Sequence, residues 1–183
     1  MKPSTRSTSR AASPDNSPQS SSQFRTDGPN ALTSTAYAAD FNEVKSLGSK
    51  NSATRTPEQT YIATFWQSAG GPALLWNRVA RTLADDPTHP LDVGDSALLF
   101  AMLDLTTADS SISCWSEKYY WDFWRPPGAI QRADEDDNPA TEKDPSWAPL
   151  LAAPYPELPS GHLCIDGASL PVLGRVRDAI GSG

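Results

Sequence analysis

Two short segments of the sequence carry side chains that could bind a tetrahedral oxyanion and transfer a proton to it. The first runs from Lys118 to Pro126 and places Lys118 and Arg125 seven positions apart, and the second is Pro159-Ser160-Gly161-His162. Lysine offers a compact positive charge, and the planar guanidinium of arginine can bind two oxygens of one anion at once. We interpret the two segments as parts of one oxyanion site.

The spacing of Lys118 and Arg125 predicts that both cations converge, because seven residues span about two helical turns and return to the same helix face. Pro126 is expected to end that helix, since the residue before a proline is disfavoured in helical geometry. The alternative interpretation of each cation on its own is a solvated charge on a helix surface.

The second segment is expected to form the start of a helix. Unpaired amides and the positive end of the helix dipole bind anions there, and Ser160 adds a hydroxyl while Gly161 lets the backbone approach closely. His162 suits general acid–base chemistry, because histidine as a residue type changes charge near neutral pH. Alternatively, Ser160 is an ordinary helix cap and His162 a polar residue of the first turn.

The two motifs, in this order, resemble the first two signature motifs of the vanadium-dependent haloperoxidases and the related phosphatidic acid phosphatase type 2 enzymes. The similarity covers about residues 23 to 175. The haloperoxidase branch is favoured by several further segments: Ala39 to Lys45, Trp115 to Lys118, Phe123 to Pro126, Asn138 to Thr141 and Pro154 to Pro156.

The resemblance implies an α-helical bundle that holds vanadate, for which phosphate can substitute, and uses hydrogen peroxide to oxidise halide to hypohalous acid. Lys118, Arg125, Ser160 and the Gly161 amide would bind the oxygens of vanadate. His162 would bind vanadate too and act as the acid–base residue. Trp115 and Tyr155 fall where the family tends to place aromatic residues of the halide pocket.

The family's third motif, Ser-Arg followed after five residues by His, is absent from these residues. It supplies the histidine that bonds vanadium, and the only histidine besides His162 is His89, whose order and spacing do not fit. We therefore interpret the chain as a fragment or truncated relative with negligible haloperoxidase activity of its own. The alternatives are an acid phosphatase of the same superfamily and a non-catalytic remnant that binds an oxyanion.

The composition limits the possible partners. The net charge of −7 argues against a protein that coats nucleic acid. No apolar stretch is long enough for a membrane span and no signal peptide is visible, so the compartment stays open. The two cysteines, Cys114 and Cys164, are expected to be buried as small apolar residues, with a single disulfide as the alternative. Uncovered apolar helix faces would favour a homo-oligomer.

The periodicity of apolar residues predicts an all-α helical bundle over residues 31–183, preceded by a disordered Ser- and Pro-rich tail over residues 1–30. Residues 132–145 are expected to form a solvated acidic loop, followed by a short helix near Trp147 to Leu151. Longer helices are expected from Thr33 to Leu47, after Thr56, after Pro72, from Asp92 to Trp124 and from Ser160 to Ile180.

Overall fold

The all-α fold is confirmed in the computed structural model, which describes residues 21–68, 70–88 and 90–180. No strand occurs in those residues, although Ser49 and Pro149 form an isolated antiparallel bridge. Short 3-10 turns lie at Ser21–Phe24 and Ala133–Glu135. The helices are α1 (Thr35–Leu47), α2 (Pro57–Ser68), α3 (Pro72–Ala84), α4 (Val93–Trp121), α5 (Pro126–Gln131) and α6 (Gly161–Ile180).

The helix starts follow local sequence signals closely. Ser34 caps α1 by accepting a hydrogen bond from the Tyr37 amide, and Gly48 follows the last residue of this helix. A capping box opens α2, the helix expected after Thr56: Thr56 Oγ1 accepts from the Gln59 amide at 3.1 Å, and Gln59 Oε1 accepts from the Thr56 amide at 2.8 Å. These side chains bond amides that have no partner within the helix.

The chain divides into two compact units. The first combines the residues up to Ala63 with Ser116–Leu158, and the second combines Thr64–Trp115 with the residues from Pro159 onward. The core of the first unit is mainly aromatic (Tyr37, Phe41, Trp124, Ala129, Ile130, Ala133 and Trp147). The core of the second unit is aliphatic (Ala80, Leu99, Leu103, Val172 and Leu173).

The acidic loop is not fully solvated as predicted. Asp136 is 2% exposed and accepts hydrogen bonds from Thr141 Oγ1 and from the Asn138 amide. The Asn138 side chain donates to the carbonyls of Leu32 and Ser34, at the start of α1. The loop therefore stabilises the first unit from its interior, which explains why a polar segment packs at all.

The predicted helix near Trp147 to Leu151 is wrong. Backbone hydrogen bonds join this segment to residues 48–50: the Lys50 amide donates to the Ala148 carbonyl, and the Leu150 amide donates to the Gly48 carbonyl. The Trp147 indole N–H donates to the Lys45 carbonyl at 2.9 Å. These long-range bonds satisfy the backbone and replace a helical turn.

The long helix also ends earlier than predicted. It stops at Trp121, and Asp122 has a φ of 44°, which turns the chain out of helical geometry. Pro126 does not end this helix; it begins α5, with Arg125 as the preceding cap residue. The prediction that Lys118 and Arg125 share one helix face is therefore wrong.

Cys114 and Cys164 form a disulfide, so the alternative interpretation of the cysteines applies. The bond joins α4 to the first turn of α6 within the second unit. Burial as free thiols was the favoured expectation, and sequence alone could not show that two cysteines 50 residues apart lie side by side.

Residues 21–30, which were assigned to the disordered tail, make defined contacts. Arg25 pairs with the buried Glu117 at 2.9 Å and stacks on the Tyr120 ring. Gly28 has a φ of 83°, and a Cβ there would meet the Trp121 ring at 2.6 Å. Residues 1–20 lie outside the described residues, so their disorder stays a prediction. Of the helices described, none is both long and apolar enough to cross a membrane.

Candidate oxyanion-binding site

Lys118 is the most buried cation of the described residues, at 1% exposure. It lies near the end of α4, and its Nζ donates to the carbonyls of Pro156 and Glu157 at 2.9 and 3.1 Å. Burial lowers the pKa of Lys118, an effect that the carboxylate of Glu157 opposes and Arg125 reinforces. Lys118 is therefore not the solvated surface charge of the alternative interpretation.

Arg125 follows the sharp turn at Asp122 and is half-buried. Its Nη1 lies 2.8 Å from Glu157 Oε2. The approach lacks hydrogen-bond geometry, since Glu157 Oε2 accepts no hydrogen bond from the described residues. The pair is an ion pair, and the carboxylate of Glu157 lies beside Arg125 where a bound oxyanion is proposed.

Tyr155 brings the two cations together. Lys118 Nζ lies 5.1 Å from the centroid of the Tyr155 ring, and Arg125 Cζ lies 5.7 Å from it. A ring face attracts cations within about 6 Å of its centroid. Lys118 and Arg125 are thus both neighbours of Tyr155, through an aromatic ring and a chain reversal in place of a continuous helix, and their convergence on one oxyanion stays a prediction.

The second motif begins α6, as predicted. Ser160 precedes the helix and is exposed, and its Oγ accepts from the Leu163 amide at 3.4 Å. Gly161 is the first residue of the helix. The ring of half-buried His162 packs edge-on against Trp66, with centroids 5.6 Å apart. The disulfide of Cys164 fixes this turn to α4.

The predicted site residues fall into both units. Lys118, Arg125 and Tyr155 belong to the first unit, where both cations lie beside the Tyr155 ring; Trp115, Ser160, Gly161 and His162 belong to the second. The single cage formed by both groups stays a prediction, as does the halide pocket of Trp115 and Tyr155. His89 lies outside the described residues.

Sequence reasoning missed Glu157, which contacts both cations. Its carboxylate approaches Arg125, its carbonyl accepts from Lys118, and its amide donates to the Phe123 carbonyl at 3.0 Å. The sequence did offer one indication of its role: Glu157 lies three residues before Ser160 in a segment that has no other acidic or basic residue. Trp66, the neighbour of His162, had no comparable signal.

Comparison with known proteins agrees with the helical fold. Residues 98–179 match a family model described as the VCPO second helical-bundle domain, which places the chain in a class of helical-bundle proteins. An alignment of 148 residues is 30% identical to the vanadium chloroperoxidase of Curvularia inaequalis and covers 68% of this chain. The chain belongs to the vanadium haloperoxidase family. It spans 24% of the length of that relative.

Proposed function

We propose that the chain is the part of a vanadate-dependent haloperoxidase that supplies the first two oxyanion-binding motifs. The observation that carries the proposal is the pair of cations on Tyr155: a buried Lys118 and an Arg125 that already contacts a carboxylate. Family membership supports the choice of vanadate as the anion.

The donor set fits vanadate or phosphate by its chemistry. Arg125 contacts an anionic oxygen in this structure, and Lys118 Nζ donates to two carbonyl oxygens. Bound vanadate would supply the activation of hydrogen peroxide toward halide. The residues proposed to hold its oxygens are Lys118, Arg125, Ser160, the Gly161 amide and His162.

Two of these residues have further proposed tasks. His162 would move a proton to or from peroxide, because imidazole titrates near neutral pH. Lys118 also positions the segment before Ser160, since its ammonium binds the carbonyls of Pro156 and Glu157. Trp115 and Tyr155 are proposed to line the halide pocket.

The chain by itself is proposed to have negligible haloperoxidase turnover, because the third-motif histidine is not among its residues. Residues that act on a reaction as a unit lose most of their effect when one is missing. A bromide-oxidation assay with hydrogen peroxide and vanadate tests this directly. Repeated turnovers by the chain alone would contradict the proposal.

Oxyanion binding can be tested apart from turnover, by calorimetric titration with vanadate and with phosphate. We expect Lys118→Met to weaken both by about ten- to a hundredfold, because a charged hydrogen bond contributes about 1.5–3 kcal/mol. Lys143→Met is the control: this lysine is partly exposed and pairs with Asp134. Equal losses in the two variants would show a general charge effect and refute the site.

The same titration has a pH signature. The lowered pKa of Lys118 means that its charge is lost at a lower pH than that of an ordinary lysine. Phosphate affinity should therefore decline as pH rises toward the usual lysine range, while phosphate stays a dianion. Lys118→Met should remove this alkaline decline. A decline that persists in the variant would assign it to another group.

A further inference from the structure

A cavity of about 280 Å³ lies within the first unit, between α1 and the chain around α5. Its walls are mostly apolar and include the rings of Tyr37, Phe41, Phe123 and Trp124. An engineered cavity of about 150 Å³ holds benzene, which sets the scale. This cavity has room for a substituted aromatic ring.

Three residues that line the cavity each carry a buried polar atom without a hydrogen bond among the described residues: Tyr37 Oη, Trp124 Nε1 and Glu157 Oε2, the last of which is ion-paired with Arg125. Tyr37 is 6% exposed and Trp124 is 7% exposed, so bulk water does not satisfy them. Buried polar groups in native proteins are almost always hydrogen-bonded. A polar group bound in the cavity would pair with these atoms.

The three atoms specify the chemistry of that group. Burial, followed by the negative charge of Asp136, raises the pKa of Tyr37 to about 12, although the Trp124 indole N–H, which approaches the Tyr37 hydroxyl without full hydrogen-bond geometry, lowers it. Tyr37 thus keeps its proton and can donate. The Trp124 indole only donates, whereas the Glu157 carboxylate only accepts. A ligand hydroxyl can do both, accepting from the ring donors and donating to the carboxylate.

The walls specify the rest of the ligand. Tyr37 has its ring centroid 6.0 Å from that of Phe41 and 6.3 Å from that of Phe123, the latter nearly perpendicular. Such rings favour an aromatic guest in edge-to-face contact. The carboxylates of Asp40 and Glu157 at the wall disfavour an anion, and two N–H or O–H donors disfavour a cation.

We propose that this cavity binds a small neutral aromatic alcohol of the phenol class, with its hydroxyl among Tyr37, Trp124 and Glu157. The site is separate from the proposed oxyanion-binding function. Because Glu157 also contacts Arg125, it is the residue that the two have in common.

The test is calorimetric titration of the chain with four probes of similar size: 4-ethylphenol, ethylbenzene, 4-ethylbenzoate and phenethylammonium. We expect 4-ethylphenol to bind one site, and ethylbenzene to bind about tenfold more weakly because it makes no hydrogen bonds. Benzoate and ammonium probes should not bind measurably. The Trp124 indole N–H signal, identified by its loss in Trp124→Phe, should shift when 4-ethylphenol is added.

Variants locate the binding in the cavity. Tyr37→Phe keeps the ring and should weaken 4-ethylphenol by about three- to tenfold, while ethylbenzene is unaffected. Tyr61→Phe, the same change at an exposed tyrosine, should leave both affinities unchanged. Ala129→Leu fills the cavity and should abolish binding of both probes; circular dichroism checks that each variant is folded.

Several results would overturn the proposal. No saturable binding and no shift of the Trp124 signal would mean that the cavity holds only water. Equal affinity for 4-ethylphenol and ethylbenzene would make it a purely apolar void. Tighter binding of a charged probe would show that the cavity prefers another class of ligand. An equal effect of Tyr37→Phe and Tyr61→Phe would show that 4-ethylphenol binds elsewhere.

Discussion

Glu157 is the residue that changes the picture of the anion site most. Sequence reasoning identified the two cations by their type and spacing, and both do meet at Tyr155. Glu157, whose carboxylate contacts Arg125 and whose carbonyl binds Lys118, could not be found in this way, because its position depends on the hydrogen bond from its amide to the Phe123 carbonyl. That bond joins residues far apart in the chain, which no local pattern encodes.

We expect Glu157→Gln to strengthen phosphate binding by about two- to fivefold. The carboxylate competes for Arg125, and a half-exposed ion pair is worth about 0.2–1 kcal/mol. Glu142→Gln is the matched control, because Glu142 is 92% exposed and pairs with Lys45 in the same unit. If calorimetry gives the same gain for both variants, the effect is one of net charge and Glu157 does not compete.

Among the helices, the sequence next to each helix predicted where it starts. It predicted less well where a helix ends and which of its faces is buried. The caps at Ser34 and Thr56 depend on neighbouring residues alone. The end of α4 depends on Asp122, whose positive φ no local pattern in the sequence predicted. The same helix exposes Leu105 and Ile112, although apolar residues at helical spacing usually face a core.

The disulfide between α4 and α6 is the element-scale constraint that we expect to matter most for stability. Its closure of a loop with a sequence separation of 50 should contribute about 4 kcal/mol through the unfolded state. The double change Cys114→Ser and Cys164→Ser should lower the free energy of unfolding in urea by that order.

Reduction of the unchanged chain should reproduce the loss, whereas the serine variant should not respond to the reductant. Equal unfolding midpoints for the reduced and oxidised chain would show that α4 and the start of α6 are held together by packing alone.

At the scale of the whole molecule, apolar side chains remain exposed. Leu98, Leu105 and Ile112 recur every seven residues along α4, with exposures of 59%, 67% and 65%. Such a contiguous stripe is unusual on a monomer and marks an association surface. The fold class and the motif positions were predictable, but which stripe of α4 stays uncovered follows from how the other helices pack.

We therefore expect the chain to self-associate with increasing concentration, measured by light scattering after size-exclusion chromatography. Leu105→Gln with Ile112→Gln should reduce association, since the change removes apolar area and leaves the net charge of −7 unaltered. Leu163→Gln, at an exposed leucine of α6, is the control. If the unchanged chain is monomeric at every concentration, or if Leu163→Gln reduces association as much as the α4 variant, this face of α4 is not an association surface.

The pairing of Cys114 with Cys164 has a chemical consequence beyond stability. Both cysteines of the chain are used in the bond, which leaves no free thiol. Thiolates are the groups that oxidants convert stepwise to sulfenic, sulfinic and sulfonic acids. Oxidants that attack thiolates, hypohalous acids among them, would therefore find none in this chain.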